Sequence, residues 1–103
     1  MEKTDTAHPA WDSRWRTDEG REDWLTPERD VLDFIPRLKA AGAVAVLDLG
    51  SGVGRHSLLL ASEGFRVSAV DGSEYGIVFL TQGAHAAGLA VETVLAEKKG
   101  AAV

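Results

Sequence analysis

The chain has 103 residues and a formal net charge of −5, with 45% hydrophobic and 26% charged residues, three histidines and no cysteine. That length and composition suit one small globular domain with a single core. They exclude disulfides, thiolate catalysis and Cys-ligated metals, and they argue against a metal site, against nucleic acid as a partner and, with no long apolar run or signal peptide, against a membrane; the expected compartment is the cytoplasm.

Residues 1–25 are densely charged and hold all three tryptophans, Trp11, Trp15 and Trp24. They are expected to form an N-terminal arm or lid. Trp11 and Trp15 are four apart, so one helical turn places both rings on one face. Burial against the core is the simpler expectation for them, and cover over a ligand the other. A helix is expected next, with Thr26 as its N-cap and Pro27 at its first position, kinked or split by Pro36 near residue 35. Ala43 to Leu49, "AVAVLDL", reads as a strand covered on both faces of a parallel sheet. "RHSLLLASEG" follows as a helix ended by Gly64, and Arg66 to Asp71 as a second strand. Ser73 is placed to cap a third helix, and "AVETVLA" reads as a third strand. Strands alternating with helices in this way predict a Rossmann-like α/β fold with a parallel sheet.

Gly50, Gly52 and Gly54 form the turn between the first strand and its helix. In such a sheet, ligands bind beyond the carboxyl ends of the strands. Glycine permits a tight turn there and lets a ligand approach the backbone. Asp71 closes the second strand about 20 residues past the first glycine, the spacing at which an acid accepts hydrogen bonds from ribose hydroxyls. A nucleoside site is the consequence. The dinucleotide fingerprint G-x-G-x-x-G would need its last glycine where Arg55 stands, which disfavours a nicotinamide cofactor.

"VLDLGSGVGRHSLLLASEGFRVSAVDGS" resembles the first two motifs of class I S-adenosylmethionine-dependent methyltransferases, over roughly residues 31–97 and in the manner of the small-molecule enzymes. The resemblance implies S-adenosyl-L-methionine as cofactor, a small-molecule methyl acceptor, and a cofactor site made of Asp48, Gly50, Ser51, Gly52, Gly54, Asp71, Gly72 and Glu97. In that pattern Asp48 serves the methionyl ammonium, Asp71 the ribose and Glu97 the adenine amino group. Gly72 departs from the large apolar residue usual after the ribose acid, and Tyr75 or Ile77 is the candidate to cover the ring instead. Arg14 or Arg16 of the arm is a candidate partner for the methionyl carboxylate, although solvated surface is the simpler reading for each, and for Arg55 as well. His56 is assigned no role, and no catalytic base or metal ligand is named.

Residues 26–97 are thus expected to form the cofactor-binding portion, with residues 98–103 as a tail at which the family's fold is cut short after about three strands. Two function classes follow. One is the cofactor-binding part of a methyltransferase. The other is a catalytically inactive truncated fragment or a cofactor-binding or interaction module. Self-association through the first strand, which the family's order would leave as a bare edge, is a separate expectation for the chain.

Overall fold

The computed structural model describes residues 7–96. The arm contains helix α1 (Ala7–Trp15), the short helix α2 (Asp18–Arg21) and a 3-10 turn over Glu22–Trp24. Three α/β units follow in chain order: α3 (Arg29–Ala40), β1 (Ala45–Leu49), α4 (Arg55–Ser62), β2 (Arg66–Asp71), α5 (Glu74–Ala87) and β3 (Val91–Leu95). The sheet is parallel throughout, in the order β1-β2-β3. The expected α/β class and strand assignments therefore stand, with boundaries shifted by one or two residues.

Register decides which side chains share a face. Val46 pairs with Val67 and Asp48 with Ala69, while Val67 pairs with Val91 and Ala69 with Thr93. Helix α4 packs on β1 and β2, and α5 on β2 and β3, so this face is covered. Val67 and Ala69 are buried there. Ile35 of α3, Leu60 of α4, Phe65 and Val67 form one core cluster, flanked by Leu38, Val46 and Val91. Leu80 of α5 and Val53 of the glycine turn are also buried.

The opposite face is open. Leu47 and Leu49 are 59% and 72% exposed, and Val94, on the same side, is also exposed. The expectation that β1 is covered on both faces therefore does not hold: its apolar run is covered on the side of Val46 and Asp48 alone.

Helix α3 starts two residues later than its sequence signals predict. Thr26 and Pro27 do not open it, because the Thr26 carbonyl accepts from the Arg55 guanidinium and the Glu28 amide donates to His56. These distant partners keep the segment out of the helix until Arg29. Pro36 lies inside α3 without dividing it. Its ring leaves the carbonyl of Leu32 without an intrahelical donor, and Leu32 is exposed, so water can serve that group. The amino cap of α5 is as expected, with Ser73 Oγ accepting from the Gly76 amide at 3.0 Å, and the helix ends at Gly88 with positive φ.

Among the described residues, no helix is long and apolar enough to cross a membrane, and no group of three or more His, Asp or Glu is arranged to hold a metal ion.

Candidate functional site

The glycine turn is built against the end of β2. The amides of Gly50 and Ser51 both donate to the Val70 carbonyl, at 2.7 and 3.1 Å. Gly50, Gly52 and Gly54 all have positive φ, the region that L side chains avoid. Two acids brace the rim. Asp71 Oδ1 accepts from the Gly52 amide at 3.1 Å and its Oδ2 from the Ser73 amide at 2.9 Å. Asp48 Oδ2 accepts from Ser57 Oγ at 2.6 Å. Each carboxylate oxygen has two lone pairs, so both acids keep acceptor capacity beyond these bonds.

A cavity of about 360 Å³ opens at this rim. Asp48, Gly50, Ser51, Gly52 and Asp71 line it together, as expected from the sequence. Gly54 and Gly72 do not line it. Gly54 instead faces the core, where a Cβ would stand 2.5 Å from Leu80 Cγ. Gly72 is half-buried between Asp71 and Ser73. Glu97 and residues 98–103 lie outside the described residues. Tyr75 and Ile77 are not part of the cavity lining either, and the Tyr75 ring faces the Arg16 guanidinium at 5.6 Å.

The remaining wall comes from the arm. Trp11 and Trp15 stack with ring centroids 5.0 Å apart, and Trp24 meets both edge-on at 5.2 and 5.7 Å. All three indoles line the cavity, and Trp15 is only 3% exposed. Its ring covers Gly52 and Gly76: a Cβ on Gly52 would lie 3.2 Å from Trp15 Cζ2, and one on Gly76 would lie 3.1 Å from Trp15 Cδ1. The approach to the Gly52 backbone, expected to serve a ligand, is thus shared with an indole of the arm. Packing against the core and lining a cavity, posed as alternatives for these tryptophans, are combined in Trp15.

Two sets of contacts seat the arm. Asp12 accepts at Oδ1 from the Tyr75 amide at 2.7 Å and from Ser73 Oγ at 2.8 Å, so it caps the amino end of α5 from across the fold. Its carboxyl is held below the usual value of 3.8, first by the Tyr75 amide and then, against partial burial, by Ser73 and Arg16. At the other end, Arg55 lies over the Trp24 ring at 4.9 Å and donates to the Thr26 carbonyl at 3.2 Å. His56 Nε2 accepts from the Glu28 amide at 3.1 Å, which assigns the ring proton to Nδ1. Burial lowers the His56 pKa from its usual 6.5, and neighbouring Arg55 adds to this while Asp48 and Glu28 oppose it.

Arg14 and Arg16 do not line the cavity. Arg16 pairs with Asp12 at 3.2 Å, and the Arg14 guanidinium lies 5.9 Å from the Trp11 ring. Sequence reasoning gave no role to Arg55 and His56, which both line the cavity, or to Trp24 individually. The position of Arg55 and His56 directly after the glycine turn, at the start of α4, was the available signal.

Two buried polar atoms have no partner among the described residues: Trp15 Nε1 and Ser51 Oγ. Both belong to residues that line the cavity.

A parallel sheet with a glycine turn after β1 and acids at the ends of β1 and β2 places the fold among the Rossmann-like class I methyltransferases. Magnesium protoporphyrin IX methyltransferase from Synechocystis PCC 6803, solved with bound S-adenosylmethionine, has the same fold, with a TM-score of 0.75 at 19% identity over 94% of this chain and 55% of that one. The chain belongs to the family of tellurite resistance protein TehB, a family of class I S-adenosylmethionine-dependent methyltransferases, whose model matches residues 25–102. TehB from Haemophilus influenzae is 32% identical with a TM-score of 0.64, over 84% of this chain and 30% of that one. The glycine/sarcosine N-methyltransferase of Parasynechococcus marenigrum (strain WH8102) is 52% identical over 52 residues, which is 50% of this chain and 18% of the relative. The chain therefore spans about a fifth to a half of the length of these proteins.

Proposed function

We propose that the chain is the S-adenosylmethionine-binding part of a methyltransferase that acts on a small-molecule acceptor. The observation that carries this reading is the cavity, where Asp48, the glycine turn and Asp71 converge. Both carboxylates keep acceptor capacity there, so a ligand bearing hydroxyl or ammonium donors fits this cavity better than an apolar one. Membership in the TehB family supports the choice of cofactor.

The cofactor supplies an electrophilic methyl group on its sulfonium. In this reading Asp71 accepts from the ribose hydroxyls and Asp48, oriented by Ser57, receives the amino-acid ammonium. Gly50, Ser51 and Gly52 form the floor, Gly54 and Gly72 shape the turns behind it, and Glu97 takes the adenine side. Residues 1–25 are the arm, whose Trp11, Trp15 and Trp24 wall the site, residues 26–97 the binding portion, and residues 98–103 a tail. No catalytic base is assigned, since methyl transfer depends chiefly on aligning the acceptor with the methyl group. The net charge of −5 supports a small-molecule acceptor over nucleic acid, and the cysteine-free composition suits the cytoplasm.

Titration calorimetry with S-adenosylhomocysteine and with NAD tests the cofactor. Binding of the first and not of the second is expected, and the reverse pattern would overturn the reading.

A second reading rests on the open face of the sheet. With Leu47 and Leu49 exposed on edge strand β1, the chain is a cofactor-binding or interaction module without turnover that pairs with a second copy along this edge. Sedimentation velocity across a concentration series separates the two readings, since a monomer at all concentrations excludes the second.

A further inference from the structure

We propose that His56 is a proton-sensitive latch on the cavity wall: with its ring neutral it holds residues 24–28 against the start of α4, and on protonation it releases them and weakens ligand binding. This rests on the cofactor reading above and adds a control of that site by mild acid.

The latch has one part that titrates and one that does not. His56 Nε2 accepts from the Glu28 amide at 3.1 Å, which only an unprotonated nitrogen can do. Arg55, one residue earlier, donates to the Thr26 carbonyl at 3.2 Å and lies over the Trp24 ring at 4.9 Å. A guanidinium keeps its charge at every working pH, so Arg55 is the constant part and His56 the variable one. The Arg55–Glu28 ion pair, at 3.8 Å with the glutamate side chain 61% exposed, is too open to hold the segment by itself. Trp24, Arg55 and His56 all line the cavity, so the segment that the latch holds carries part of the wall.

The charges around His56 come from several elements. Arg55 precedes it on α4, Glu28 stands on the facing segment and Asp48 lies near the end of β1, while Asp71 at the end of β2 lines the same cavity. Burial and Arg55 outweigh Asp48 and Glu28 in favouring the neutral ring, so the latch is closed at neutral pH. A released ring returns toward the ordinary value of 6.5 and takes up a proton more readily than a latched one, so protonation and release favour each other. A ligand that binds better against the closed wall favours the neutral ring by the same linkage, and its affinity falls as the ring is protonated.

Titration calorimetry of the wild-type chain with S-adenosylhomocysteine at about pH 7.5 and about pH 5 tests this, and affinity should be about threefold or more weaker at the lower value. His56→Gln offers an amide oxygen in place of Nε2 and does not titrate, so it should bind equally at both. Glu28→Pro removes the amide donor at a backbone φ of −71°, which proline adopts, and leaves His56 free to titrate. It too should bind equally at both. A wild-type affinity that is the same at the two values overturns the proposal. So does a pH dependence retained in either variant: in His56→Gln it would belong to other groups, and in Glu28→Pro to the His56 charge acting directly on the ligand. The wild-type comparison stands as a test even if a variant folds poorly. Failure of the wild-type chain to bind S-adenosylhomocysteine at the higher value would instead remove the cofactor reading itself, and this proposal with it.

Discussion

Trp15 lies directly on Gly52, with its Cζ2 atom 3.2 Å from where a Cβ would stand. A glycine of the cofactor turn and an aromatic ring of the arm are therefore one packing unit. Gly52→Ala should displace the indole and strain a backbone held at φ +58°, which costs about 1–2 kcal/mol for an L residue. The expected result is loss of arm seating with the sheet intact: quenching of tryptophan by acrylamide should rise while the far-ultraviolet spectrum stays the same.

Gly54→Ala should fail differently. Its Cβ would stand 2.5 Å from Cγ of Leu80, which is fully buried and has nowhere to move. Overpacking of this kind costs about 1–3 kcal/mol and adds to the strain of positive φ. A thermal melt should show a large drop in midpoint, and a midpoint equal to that of Gly52→Ala would contradict the distinct environments of the two glycines.

Asp71→Asn should weaken S-adenosylhomocysteine binding and also lower stability. The amide keeps one acceptor oxygen for either the Gly52 or the Ser73 amide but cannot serve both. Hydrogen bonds to a charged acceptor are worth about 1.5–3 kcal/mol, so a loss of binding near tenfold or more is expected by calorimetry. Unchanged affinity in a folded variant would make Asp71 a brace of the turn alone.

Asp12 and His56 give the arm two separate pH dependences. The Asp12 carboxyl is held below 3.8, so its contribution is complete above that value and is lost as pH falls through its lower native value. The His56 pKa lies below 6.5, so the native state favours the neutral ring: its contribution is complete above 6.5 and declines as pH falls from there. Protonated Nε2 would face the Glu28 amide donor to donor. Acidification below 6.5 should therefore loosen residues 26–28, just after the arm, first and the arm at Asp12 only in strong acid. Tryptophan fluorescence against pH should show two steps, and His56→Gln should abolish the first.

What the sequence made legible was local. Ser73 as a cap, Gly64 as a helix end, and Asp48 and Asp71 at strand ends each follow from dihedral or hydrogen-bond demands within a few residues. The start of α3 was misread because Thr26 and Glu28 are spoken for by Arg55 and His56, nearly thirty residues away. Asp12 capping α5 from more than sixty residues away leaves no local pattern either. The strand β1 was read as covered on both faces because an apolar run looks the same whether or not a second layer lies over it.

The arm and the residues just after it are fastened to the beginnings of the helices that follow β1 and β2: Asp12 to the amino end of α5, and Thr26 and Glu28 to the first residues of α4. A ligand in the cavity walled by Trp11, Trp15 and Trp24 is thereby enclosed by a segment that can leave only by breaking those fastenings. Ligand exchange then takes its clock from the arm. The dissociation rate should follow the strength of the Asp12 and His56 attachments, and ligands of very different affinity for the floor of the cavity should share a common upper limit on how fast they escape.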